Sequence, residues 1–262
     1  MIVLSIDKIA GKNNKFSLNA HAVHRDSRQG SLRPFTGSSY FYSKSPKMRL
    51  YYCYDAYCGW CYGFSTVIRK IQETNPALQI EVLSGGMILP EKPVHIGATA
   101  GYIRKAYKTV EEYTGIQFGE DYLWHIEHPD LSDWYPNSEK PAIALCIFKE
   151  LFPGKQLDFA SDLQYALHYE GRDLTDDEAY RHILEKYGID ADDFYSKLKS
   201  DQYKDQAHYE FSLVKQLQVT GYPTVLLQVS DHKFHLLARG YTDYDTLQAR
   251  LQAVLAEQAQ QQ

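Results

Sequence analysis

Apolar positions change period several times along the chain. From Arg49 to Asp55 the run Arg-Leu-Tyr-Tyr-Cys-Tyr-Asp is aromatic and continuous in character, which predicts a strand buried on both faces. Phe64, Val67, Ile68 and Ile71 then recur at helical spacing until Asn75-Pro76 stops them, and Ile80 and Val82 alternate with polar neighbours. The expected order is strand, helix, strand. Helical patterns follow over about 98–113, 140–151, 157–169, 176–187 and 190–199. Gly171, Gly188 and Pro153-Gly154 punctuate them, and Thr175-Asp176-Asp177-Glu178 has capping-box spacing. A further helix using Ala207, Phe211, Val214 and Leu217 ends at the turn Val219-Thr220-Gly221-Tyr222-Pro223-Thr224. Strands from Thr224 to Val229 and Phe234 to Arg239 flank the hairpin loop Ser230-Asp231-His232-Lys233. Thr242-Asp243-Tyr244-Asp245 then caps a last helix carrying Leu247, Leu251 and Val254.

Residues 1–47 lack a sustained period of two or 3.6, are rich in Ser, Asn, Lys and Arg, and end in Ser43-Lys44-Ser45-Pro46-Lys47. They read as a loosely ordered extension. Met48 stands immediately before the first strand, so the folded part is expected to begin there.

Composition narrows the function. A chain of 262 residues with 44% hydrophobic and 23% charged residues has the material for a packed interior. Its 22 tyrosines suit half-buried positions where a ring packs and a hydroxyl reaches water. A net charge of -5 offers no general attraction to phosphate backbones or anionic lipid, so neither nucleic acid nor membrane is an expected partner. No run approaches the roughly 18 apolar residues that a bilayer span needs. The apolar start Met1 to Ile6 is broken by Asp7 and Lys8 before it could serve as a signal core, so secretion is not supported. Four cysteines in so long a chain do not make a disulfide framework, and a closely spaced pair reads as catalytic or metal-binding in a reducing compartment, the cytoplasm.

That pair is Cys58-Gly59-Trp60-Cys61, placed where a buried strand hands over to a helix. A sulfur at the helix N-terminus meets unpaired amides and the positive end of the dipole, which favour thiolate, the attacking form. Cys58 is therefore the expected nucleophile, and Cys61, one turn later, resolves the mixed disulfide. Two metal readings compete. A zinc half-site lacks a second CxxC or His pair at finger spacing. Cys53, Cys58 and Cys61 with a distant Cys146 imitate plant-type iron–sulfur spacing, but Cys53 falls in the strand and Cys146 in the apolar run Ala142 to Phe148, where packing explains both. His125-Ile126-Glu127-His128 lacks a third ligand, and Gly85-Gly86 reads as a loop needing unusual backbone angles rather than a phosphate cradle. No metal and no cofactor is expected. Asp55 reads equally as a turn cap or as a proton-transfer group; Tyr57 and Trp60 read equally as groove lining or packing.

A proline between Gly221-Tyr222 and a strand fits a cis bond at the strand's first residue. A CxxC after the first strand and this Tyr222-Pro223 far downstream together resemble the thioredoxin superfamily, and the long helical stretch between them resembles its DsbA-like branch. The resemblance implies an α/β thioredoxin-like fold with a large all-helical insertion: residues 48–94 and 206–262 form the thioredoxin-like part and 95–205 the insertion. It also implies that Pro223 is cis and faces the cysteines, that the backbone of Tyr222 pairs with substrate, and that Gly59 and Trp60 share that surface. The segment Asp55 to Gly63 is similar to the cytosolic subgroup of FrnE-like oxidoreductases and 2-hydroxychromene-2-carboxylate isomerases. That isomerase group normally has Ser where Cys58 stands, so redox chemistry is favoured here. Many family members have Pro-His, Pro-Trp or Gly-Pro between the cysteines, whereas this chain has Gly-Trp; the acidic residue six positions before the first cysteine is Tyr52. The implied activity is a thiol–disulfide oxidoreductase or protein disulfide isomerase acting on protein or small-molecule thiols and disulfides, with glutathione or a reductase as electron partner. The alternatives are a glutathione-dependent isomerase or transferase of a small aromatic substrate, and a non-catalytic thioredoxin-fold module.

Overall fold

The computed structural model describes residues 2–5 and 48–260. Its centre is β2 (Arg49–Tyr54), whose side chains divide between two apolar clusters with the period of two that a pleated strand imposes. Leu50, Tyr52 and Tyr54 face Phe64, Ile68 and Ile71 of α1 (Gly59–Thr74), while Tyr51 and Cys53 face the opposite way. The expectation of a strand buried on both faces is met. On its flank lies β3 (Gln79–Ser84), parallel to β2 and reached through α1.

Helices then occupy the chain: α2 (Gly97–Thr114), α3 (Glu120–Glu127), α4 (Glu139–Leu151), α5 (Gln156–His168), α6 (Arg181–Tyr187), α7 (Ala191–Leu198) and α8 (Asp201–Gln216). The eight residues of α3 are too few for a clear period and were not expected. The helix expected over 176–187 begins as a 3-10 turn, Asp177–Tyr180, because Asp176 rather than Thr175 caps it, accepting from Glu178 N–H at 3.1 Å. Ser200 caps α8, which therefore runs unbroken across the division expected between 205 and 206. Val214 and Leu217 of this last segment close over Tyr51, Cys53 and Leu226 on the second face of the sheet.

The hairpin β4 (Thr224–Ser230) and β5 (Lys233–Arg239) returns antiparallel to β2, and α9 (Tyr244–Gln260) packs Leu247, Leu251 and Val254 into the main core. Four residues of the expected loose extension behave otherwise: Ile2–Ser5 form β1, paired antiparallel with β5 from Ile2↔Leu236 to Ser5↔Lys233. The free edge of β5 offers backbone donors and acceptors, and Ile-Val-Leu has high strand propensity. The remainder of 1–47 lies outside the described residues. The sheet order is β1-β5-β4-β2-β3. Among the described residues no helix is long and apolar enough to cross a membrane.

One main cluster runs without a break from α1 and β2 into α4, α5 and α7, so the helical insertion shares the core of the thioredoxin-like part. Together with Glu210 of α8 it also seals the outer edge of β3. Gln156 Oε1 accepts from Val82 N–H at 2.8 Å, Lys149 donates to Val82 O, and Glu210 Oε2 accepts from Ser84 N–H at 2.9 Å. An edge strand needs such covering because its unpaired groups otherwise template association. Lys149 and Glu210 pair at 2.5 Å. Burial alone would pull the Lys149 ammonium down, but the carboxylates of Glu210 and Glu81 outweigh it and hold it above its ordinary value. Replacing Glu210 by Ala leaves the Lys149 ammonium with Glu81 at 3.4 Å and Val82 O, and strands the edge N–H of Ser84; urea unfolding should show a loss of about 1–3 kcal/mol.

Candidate active site

Cys58 is the N-cap of α1, with extended backbone at φ -84°, ψ 106°. From that position its Sγ accepts a hydrogen bond from Cys61 N–H at 3.3 Å, one of the orphan donors of the helix start. All four cysteines are free thiols, and the two of the pair differ in access: Cys58 keeps 8% of its surface and Cys61 none. Burial pushes the Cys61 thiol well above its ordinary value, and its contact with Cys58 adds to the rise, while the Asp55 amide works against it. The outer sulfur is therefore the more accessible of the two, and the inner one holds its proton.

The turn feeding α1 is fixed from several sides. Cys58 N–H donates to Asp55 O at 3.1 Å and Tyr57 N–H to Asp55 Oδ1 at 3.0 Å. The same carboxylate accepts from Ser138 Oγ–H at 2.8 Å and, through Oδ2, from Met87 N–H at 2.7 Å. Burial raises the Asp55 carboxyl above its usual range, and these donors pull the other way. Its hydrogen bonds go to the turn, to the loop after β3 and to the start of α4, and none of them reaches a sulfur. This is the geometry of a cap.

Across from the cysteines, the Tyr222–Pro223 peptide bond is cis. The Cys58 thiol donates to Tyr222 O at 3.7 Å, so the two chemical anchors of the sequence, 164 residues apart, meet at one sulfur. Tyr222 Oη–H reaches back to Gly85 O at 2.9 Å. A Cβ at residue 85 would stand 2.2 Å from that ring, which is why glycine is required there; Gly86 takes φ +64°, which favours glycine again. The expected loop is thus explained by close approach and backbone angle.

Between the cysteines, Gly59 lies under the Phe118 ring, 3.3 Å from where a Cβ would be. Trp60 packs against Tyr113 and Tyr241, with ring centroids 6.3 and 6.1 Å away, and remains half-buried. Tyr57 turns a buried hydroxyl inward. Tyr52 sits below the pair with its hydroxyl 3.4 Å from Cys61 O, and burial raises it far above its ordinary value. No carboxylate occupies that place.

Two residues of α5 were not foreseen. Gln164 Nε2 donates to Asp55 O at 3.4 Å, and His168 Nε2 lies 3.2 Å from Ala56 O. The carbonyl can only accept, so Nε2 carries the proton and the imidazole is the neutral donor. His168 stacks on Tyr62 and is edge-on to Phe118 and Tyr122. Burial lowers its basicity to about 3, with the Ala56 bond opposing. Helical spacing of four puts Gln164 and His168 on one face, but nothing in the sequence ties that face to a turn some 110 residues earlier.

The metal alternatives find other uses. Cys53 faces the second cluster, its thiol pushed up to about 12 by burial and by Glu210. Cys146 Sγ contacts Glu210 Oε1 at 3.7 Å. His125 pairs with Ser132 Oγ at 2.8 Å and stacks on Trp134, while His128 lies 3.2 Å from Trp124 O. Among the described residues no group of three His, Cys, Asp or Glu side chains is arranged to hold a metal ion.

Residues 50–252 match the family model of the DSBA-like thioredoxin domain. Comparison with curated proteins found no match. Among solved structures the chain is similar to a provisionally assigned protein disulfide isomerase from Nitrosomonas europaea, at 22% identity and TM-score 0.71 over 80% of this chain and 98% of that one. It is similar to the cytosolic disulfide reductase DsbM from Pseudomonas aeruginosa, at 24% identity and TM-score 0.62 over 79% and 98%. A 2-hydroxychromene-2-carboxylate isomerase shares 14% identity and TM-score 0.54 over 81% and 96%. At these identities the likeness is one of fold.

His168 also sets a pH dependence. Its folded value, about 3, lies below the unfolded value near 6.5, so the folded state binds fewer protons and stability falls as pH drops between the two. The contribution is intact above about pH 6.5, and at pH 4.5 it should be smaller by about 2–3 kcal/mol. Urea unfolding of wild type and His168→Gln at pH 7.5 and 4.5 should show a smaller drop in the variant.

Proposed function

The chain belongs to the family of DSBA-like thioredoxin domains, and we propose that within it Cys58 and Cys61 form a redox-active pair performing thiol–disulfide exchange. The observation that carries this reading is the 3.3 Å hydrogen bond from Cys61 N–H to Cys58 Sγ, with the second sulfur fully buried behind the first. An amide aimed at a sulfur supports the charge of a thiolate, and a thiol one helical turn away lies within reach of any disulfide formed there.

In the proposed reaction the Cys58 thiolate attacks one sulfur of a substrate disulfide, forming a mixed disulfide and releasing the other sulfur as thiolate. Cys61 gives up its proton to that leaving thiolate and attacks Cys58 Sγ. The Cys58–Cys61 disulfide forms and the second substrate sulfur departs. The substrate gains two electrons and the protein loses two; the reverse sequence oxidises a dithiol. Tyr222 and Pro223 offer the surface on which an extended substrate lies, with Tyr222 O free to turn from the Cys58 thiol to a substrate amide. Gly59 keeps the approach to Cys58 low, and Trp60 supplies its apolar rim. Asp55 acts here by holding the turn, since its carboxylate gathers donors from Tyr57, Met87 and Ser138.

Glutathione is the proposed small thiol partner, since DsbM, a reductase of the same fold, has been solved with GSH. The reading sets the protein in the reducing cytoplasm, where such a thiol is supplied. Cys61→Ser should trap partners covalently on Cys58, as bands lost on reduction, and Cys58→Ser should trap none. Equal trapping by both variants, or by neither, would remove the assignment. Glutathione-dependent isomerisation of a small aromatic substrate that survives in Cys61→Ser would favour the isomerase reading instead.

A further inference from the structure

The turn that delivers Cys58 to the N-cap of α1 exposes two carbonyls to the helical insertion. Asp55 O is shared between Cys58 N–H and Gln164 Nε2, and Ala56 O meets His168 Nε2. Both side chains are 1% exposed, so neither contact is softened by solvent. The imidazole is held on its other faces by aromatic rings: Tyr62 stacks on it at 5.1 Å, and Phe118 and Tyr122 approach edge-on at 5.4 and 5.0 Å. Its Nδ1 is buried and has no hydrogen-bond partner. A solitary buried acceptor is unfavourable by about 1–3 kcal/mol, and a phenylalanine would fill such a box without that penalty. What the imidazole adds over a phenyl ring is the Nε2–H donor to Ala56 O. The box is also joined to the active site directly, because Tyr62 follows Cys61 and the Phe118 ring lies over Gly59.

We propose that His168 is a positioning residue for thiol–disulfide exchange, its Nε2–H holding the Ala56 carbonyl so that the first amides of α1 stay aimed at Cys58 Sγ. Gln164 performs the same service one carbonyl earlier. The proposal rests on the exchange reading of Cys58 and Cys61, but its signature belongs to the sulfur alone. With the donor gone, the Ala56–Tyr57 peptide is held on one side only, by Tyr57 N–H on Asp55 Oδ1; the turn relaxes, the Cys61 N–H to Cys58 Sγ bond lengthens, and Cys58 becomes a poorer nucleophile toward any electrophile.

The test is the rate at which iodoacetamide alkylates Cys58 in the fully reduced protein at pH 7, followed by mass spectrometry, in wild type, His168→Phe and His168→Gln. Thermal unfolding identifies the range in which each is folded. Loss of one hydrogen bond's worth of orientation should slow alkylation by about three- to tenfold in His168→Phe. His168→Gln, which keeps an N–H donor, should recover at least half of the loss on a logarithmic scale. If His168→Phe does not fold, Gln164→Met, which removes the neighbouring donor and leaves the box intact, should slow alkylation in the same direction. Wild-type rates in a folded His168→Phe protein, or in folded Gln164→Met if it stands in, would overturn the proposal, as would equal slowing in the Phe and Gln variants. Exchange with oxidised glutathione, measured on wild type alone, separates the two claims: its absence there defeats the exchange reading, whereas the alkylation series still decides whether His168 positions the sulfur.

Discussion

The rest of the site depends on a single N–H···S contact at the start of α1. Helices leave their first amides without partners, and an ordinary N-cap answers with an oxygen; here the answering atom is the sulfur of Cys58. Placing sulfur there requires the chain to stop being a strand at Tyr54, turn through Asp55 to Tyr57, and enter the helix at Gly59. Asp55, Ala56 and Cys58 are each held by another part of the molecule. The Asp55 carboxylate gathers Tyr57, Ser138 and Met87, the Asp55 and Ala56 carbonyls face α5, and Cys58 itself faces Tyr222.

This arrangement gives the helical insertion a purpose beyond bulk. α4 brings Ser138 at its start to Asp55 and Lys149 near its end to the edge of β3. α5 does likewise, with Gln156 on Val82 and, three turns on, His168 on Ala56. With Glu210 of α8 on Ser84, these two helices seal an otherwise open sheet edge, and the same two clamp the turn of the cysteine pair, so edge protection and site geometry are mechanically one feature. The continuous core between insertion and sheet is what makes the clamp rigid.

Much of this was legible in the sequence because it is local. The continuous aromatic run of β2, the 3.6 pattern of α1 and the glycine and proline punctuation depend on neighbours in the chain. The pairing of Cys58 with Tyr222 was reached only through resemblance, since no local rule joins residues 164 apart. Gln164 and His168 escaped because a histidine and a glutamine in an apolar helix look like satisfied core residues, as they are; only the fold reveals that what satisfies them is the turn before Cys58. Asp55 stood between two roles in the sequence, and the three donors on its carboxylate come from residues as distant as Ser138, which no local pattern links to it. Ile2–Ser5 were misread because a four-residue strand has too few positions to display a period, and its register is set by the free edge of β5 rather than by its own pattern.

The central claim concerns two sulfurs that exchange a pair of electrons. It is tested most directly by equilibrating the protein across a glutathione buffer series and counting free thiols at each poise by acid quench and mass. The account expects a single two-electron transition linking Cys58 to Cys61, with Cys53 and Cys146 reduced throughout. Thiols that stay at four across the series, or a bond that forms between any other pair, would contradict it.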